Sequence, residues 1–169
     1  ALVVADGAGR VGYHRPLAPV AWARLRRFAL EEGLSITAVS AADRAVTGSR
    51  LPPGDLTVND VAFGTGPPPD FACWEEWNPY TELEPGLERA VAPPTMAAVY
   101  GDRAARRVLE AFPEGLPESQ FDLADRIPGE TVLHVWHEEV DKGRALARYC
   151  RRRGIPASAV MALGDTTVD

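Results

Sequence analysis

From Asp141 to Asp169 the chain reads DKGRALARYCRRRGIPASAVMALGDTTVD, a unit holding a helix, a strand and two acidic positions. Asp141 suits a helix N-cap, Ala145, Leu146, Tyr149 and Cys150 recur at helical spacing, and Gly154 and Pro156 are stop signals. The pattern predicts a helix over about 142–153. Ala159 to Leu163 is a short apolar run, which at this length suits a buried parallel strand that Gly164 and Asp165 end. Helix followed by strand predicts an α/β protein with a parallel sheet. Asp165 would then stand at a strand's carboxyl end, where open α/β sheets place ligands, with Asp169 four residues on. Two carboxylates at a strand end point to a cation.

Lys142 adds the other half. The chain has seventeen arginines and one lysine, and that lysine falls at the predicted helix start. A helix amino end carries partial positive charge, so a purely structural lysine belongs at the opposite end, where Arg151 to Arg153 already lie. An anion would justify it: a compact ammonium beside free backbone N–H groups makes a phosphate site. Cation plus phosphate is the chemistry to look for.

The whole chain supports an ordinary globular reading. It has 169 residues, 46% of them hydrophobic and 25% charged, enough for one core or a core with an insertion. A net charge of -6 argues against a general nucleic-acid binder. The Arg151 to Arg153 run reads as the solvated tail of its helix. Cys73 and Cys150 stand alone without a CxxC pair, which supports neither a disulfide framework nor a cysteine-rich zinc site. No apolar run reaches membrane-spanning length and no export signal opens the sequence, so a soluble, cytoplasmic protein is expected.

Taken in order, Ala1 to Ala5 predicts a strand running into the small-residue turn Asp6-Gly7-Ala8-Gly9, which puts a second acid at a strand end. Pro19 opens a helix whose stripe includes Val20, Leu25, Phe28 and Ala29 and which Gly33 closes. Residues 35–39 form a second strand leading to Ser40, and 56–63 a third. Between Gly64 and Pro94 seven prolines break any long element, and Trp74 and Trp77 read as anchors for irregular chain. Then come a strand at 96–100, a helix capped by Asp102 and reaching Phe112 with Val108, Leu109 and Phe112 on one face, and strands at 121–124 and 131–135. This βαββ run predicts an inserted α+β cap. His134 and His137 would point to opposite strand faces, which argues against a shared metal.

These residues resemble the haloacid dehalogenase superfamily of phosphohydrolases, in the Cof-like branch with an α+β cap. Leu2 to Gly9 is similar to the first motif, Ser40 to the second, Lys142-Gly143 to the third and Gly164 to Asp169 to the fourth. Asn59 resembles the Asn of the Asn-Gly-Ala turn found after the third core strand. The resemblance implies a Rossmann-like parallel-sheet core over 1–66 and 138–169, a cap over 67–137, and a chain that continues past Asp169.

It also implies a Mg²⁺-dependent phosphatase of a small phosphorylated metabolite, of the sugar-phosphate kind. Asp6 would be the nucleophile, forming an aspartyl phosphate. Asp6, the Ala8 carbonyl, Asp165 and Asp169 would hold Mg²⁺, while Gly7, Ser40 and Lys142 would bind the phosphoryl group. Two departures stand out. Ala8 replaces the Asp that serves as general acid, and Arg10 stands where Thr is usual. Loss of that acid costs about 10²- to 10⁴-fold on poor leaving groups, so the alternative reading is a weakened enzyme or a phospho-ligand binding protein.

Overall fold

The computed structural model describes residues 3–5, 11–41, 60–64, 82–84, 86–127 and 130–161. Strand β1 (Val3–Ala5) and strand β2 (Val11–His14) pair antiparallel as a separate two-stranded sheet. Helix α1 (Pro19–Glu32) follows, with Pro19 in its first turn and Gly33 closing it. The remaining strands, β3 (Ile36–Ala41), β4 (Asp60–Gly64), β5 (Glu82–Glu84), β6 (Met96–Tyr100), β7 (Ser119–Ile127) and β8 (Glu130–His137), form one sheet in the order β5-β4-β3-β6-β8-β7. Helix α2 (Asp102–Ala111) links β6 to β7, and helix α3 (Lys142–Arg153) follows β8. Short 3₁₀ turns occupy Leu87–Arg89 and Ala157–Ala159.

Strand alternation explains the core. Ile36 and Ala38 of β3, Ala97 and Val99 of β6, and Leu133 and Val135 of β8 share one face with the buried stripes of both helices, Ala21, Trp22, Leu25 and Ala29 of α1 and Ala105 and Val108 of α2. The two helices therefore lie on the same face. Phe28 of α1 meets Phe112 edge-on at 5.4 Å, and Arg107 of α2 pairs with Glu32 of α1. The segment after β5 clamps α1 from the side: the Trp22 indole N–H donates to the Ala90 carbonyl at 2.8 Å, and Arg26 donates to the carbonyls of Leu87 and Glu88. Gly64 makes the β3–β4 pairing possible, because it sits at φ 144 and a Cβ there would collide with the Ile36 carbonyl oxygen.

The helices and the strand at Met96–Tyr100 fall where the sequence predicts them. Three expectations are corrected. The expected parallel sheet is a mixed one among the described residues: β4–β5 is parallel, whereas β3–β4, β3–β6, β6–β8 and β7–β8 are antiparallel. Secondly, the start of the expected 159–163 strand is a 3₁₀ turn, with Met161 83% exposed. An apolar run needs a covering neighbour to be buried, and the exposure of Met161 shows that this part of the run has none at that position among the described residues. Thirdly, Gly101 and not Asp102 caps α2; the Asp102 carboxylate instead accepts from the Thr131 hydroxyl. β3 and β4, from the stretch expected to form a core, share their sheet with β6 to β8, from the stretch expected to form a cap.

Candidate functional site

The start of α3 is the part of the expected site with described side chains. Asp141, extended at φ -156 and ψ 139, caps the helix by accepting from the Arg144 N–H at 2.9 Å, and its second oxygen lies 3.7 Å from the Arg144 guanidinium. Lys142 and Gly143 are thus the first two helical residues. Gly143 gives the capping carboxylate room, since a Cβ there would approach Asp141 Oδ1 to 3.1 Å. Lys142 is exposed. Its ammonium and the helix start present positive charge together.

The approach to this helix is fixed by β7 and β8. Val140 is buried, donates its N–H to the His137 carbonyl at 2.9 Å and accepts from the Gln120 side chain at 2.7 Å. At the helix's other end Gly154 takes the left-handed conformation at φ 65, with Arg151, Arg152 and Arg153 exposed in the last turn. Those cations face the negative end of the helix, as the solvated tail predicted from the sequence should.

Ser40 lies in the last two residues of β3, paired with Val61 of β4. This puts it at the strand's carboxyl end, as expected. Asp6, Gly7, Ala8, Asp165 and Asp169 lie outside the described residues, as do Trp74, Trp77 and Asn59. Among the described residues no three His, Cys, Asp or Glu side chains come together as a metal cluster. His134 and His137 do face opposite sides of the sheet: His134 stacks on Trp136 at 5.6 Å and lies 4.0 Å from Asp122, while His137 faces Glu118.

Two features have no signal in the sequence. One is the group of His137, Glu118, Glu139 and Arg15, gathered from three places in the chain. The other is Tyr100, 5% exposed, whose phenol burial pushes up to about 12, with a Thr37 hydroxyl contact pulling weakly the other way.

Solved structures share the overall fold. A haloacid dehalogenase-like hydrolase from Bacteroides thetaiotaomicron superposes with a TM-score of 0.60 at 15% identity, over 92% of this chain and 52% of the other. A HAD/COF-like hydrolase from Plasmodium vivax gives a TM-score of 0.62 at 12% identity, over 99% and 54%. The fold is that of the haloacid dehalogenase-like hydrolases. A HAD subclass IIB sugar phosphatase also matches, with a TM-score of 0.50 at 10% identity, over 87% and 48%. That fold agrees with the haloacid dehalogenase-like resemblance read from the motifs. The chain spans about half the length of these haloacid dehalogenase-like structures. No protein-family model and no curated protein matches the chain. No helix among the described residues is long and apolar enough to cross a membrane.

Proposed function

We propose that the chain carries the site of a Mg²⁺-dependent phosphatase acting in the cytoplasm on a small phosphorylated metabolite of the sugar-phosphate kind. The observation that supports this most is the start of α3, where the chain's one lysine and Gly143 open a capped helix in a haloacid dehalogenase-like fold.

In this reading an Asp6 carboxylate oxygen attacks phosphorus and the substrate's ester oxygen leaves, giving an aspartyl phosphate. Water then attacks the same phosphorus, the acyl P–O bond breaks, and inorganic phosphate and the Asp6 carboxylate are released. Ser40 donates a hydrogen bond to a phosphoryl oxygen, and Lys142 neutralises part of its charge. The carboxylates of Asp6, Asp165 and Asp169 with the Ala8 carbonyl are hard oxygen donors, the set that suits Mg²⁺ over softer metals. Held there, Mg²⁺ would supply charge neutralisation at the phosphoryl group. Because Ala8 offers no proton, the departing oxygen takes its own from solvent, so good leaving groups turn over best.

Release of phosphate from an aryl phosphate with Mg²⁺, abolished in Asp6→Asn, is the expected result; undiminished release in that variant refutes the reading. Ala8 also favours a second reading, a phospho-ligand binding protein. That one predicts Mg²⁺-dependent binding of inorganic phosphate without turnover, and activity appearing in Ala8→Asp.

A further inference from the structure

We propose that His137 is a positioning residue, a proton-sensitive latch on the turn that delivers Lys142; its link to turnover rests on the phosphatase reading above. His137 ends β8 and is 4% exposed. Its Nδ1 accepts from the Glu139 backbone N–H at 3.1 Å, which requires a ring with no proton on Nδ1 and one on Nε2. Nε2 lies 3.5 Å from Glu118 Oε2. The ring is thus used at both nitrogens, one inside the turn and one across to β7.

The surroundings hold it there. Glu118, just before β7, takes the left-handed conformation at φ 51, uncommon outside glycine, and its carbonyl accepts from the Glu138 N–H at 3.0 Å. The Arg15 guanidinium, beyond β2, holds the Glu139 carboxylate at 2.6 Å. The Glu118 carboxylate faces the ring, and the Glu139 carboxylate, one residue of the same turn, is paired with Arg15. Val140 follows, anchored by His137 and Gln120, and then the cap Asp141 and Lys142.

A second proton on the ring converts Nδ1 from acceptor to donor, and it then faces the Glu139 N–H, another donor. That hydrogen bond is lost. The Glu118 carboxylate is 65% exposed, so its attraction for the charged ring is screened and does not restore the turn. The turn before α3 is tight with a neutral ring and loose with a charged one. Phosphate affinity at Lys142 falls with acid accordingly.

The test follows the whole chain by ¹⁵N NMR between roughly pH 5 and 8, the span in which imidazoles titrate. It records the His137 ring nitrogens and amide exchange of residues 138–146, corrected for intrinsic rates. Protection of the Glu139 amide should fall about tenfold as the ring gains its proton, the factor one lost hydrogen bond allows. In His137→Asn, whose side-chain oxygen accepts the same N–H, protection should be flat with pH. Wild-type protection that stays constant while the ring titrates overturns the latch, even if a His137→Leu control fails to fold. In parallel, phosphate release from p-nitrophenyl phosphate with Mg²⁺ should lose an acid limb in His137→Asn that wild type shows. Equal pH profiles in the two proteins overturn the link to Lys142. A titrating latch in a chain that releases no phosphate at any pH upholds the latch and overturns the phosphatase reading.

Discussion

Helices α1 and α3 are close in length, 14 and 12 residues, and are held by opposite means. α1 buries Ala21, Trp22, Leu25 and Ala29, has no side-chain cap, and is fastened along its flank by Trp22 and Arg26. α3 buries Cys150 alone and leaves Leu146 and Tyr149 more than a third exposed, yet it has a side-chain cap at one end and a left-handed glycine at the other. Among the described residues, one helix is held mainly by packing and the other mainly by its ends. A helix held at its ends fixes the position of its first turn without depending on a partner along its length, and that first turn is where Lys142 lies.

The contrast is open to being broken. Trp22→Ala removes a fully buried ring and the donor to Ala90, and should lower unfolding free energy by about 3–5 kcal/mol in urea titrations. A loss below 1 kcal/mol would mean that α1 is not fastened as described. Alkali probes the other face of the sheet through Tyr100, which clusters with Ala98 and Val132. Its folded value lies above the ordinary 10.0, so the unfolded chain ionises first and stability drains away between pH 10 and about 12. The loss should be about 2–3 kcal/mol, order of magnitude, and Tyr100→Phe should abolish that part of the pH dependence. Smallest is Asp141→Ala, which removes the α3 cap for about 1 kcal/mol. Its effect should appear as faster amide exchange in the first turn of α3, with α1 unchanged; equal loosening of both helices would show that α3 is packed after all.

The same contrast explains what could be read from sequence. α3 was legible because its determinants are local: a cap at Asp141, an apolar spacing, a stop at Gly154. Met96–Tyr100 was legible as a compact apolar run. Sheet partnership was not, because pairing joins distant segments and the alternation within each strand says nothing about direction. The 159–163 run is apolar enough to suit a buried strand, but burial also needs a covering neighbour, and Met161 is 83% exposed. Of the candidate site, Lys142 and Ser40 occupy the local positions that their flanking residues suggest, while Asp6, Asp165 and Asp169 rest on motif resemblance. The contact between His137 and Glu118 had no chance of being read, since it depends on a hairpin register and a left-handed backbone at Glu118.

One pairing described above sets the order of events as the protein forms. β3 lies against β6 with Ile36 opposite Val99, more than sixty residues later in the chain. The face on which α1 rests therefore does not exist until that long loop has closed, and closing it costs entropy before any contact repays it. During synthesis α1 leaves the ribosome well before its platform does. Its Trp22 and Leu25 must wait, uncovered, for the second half of the chain to arrive, which makes this stretch the point at which a chaperone would be most useful.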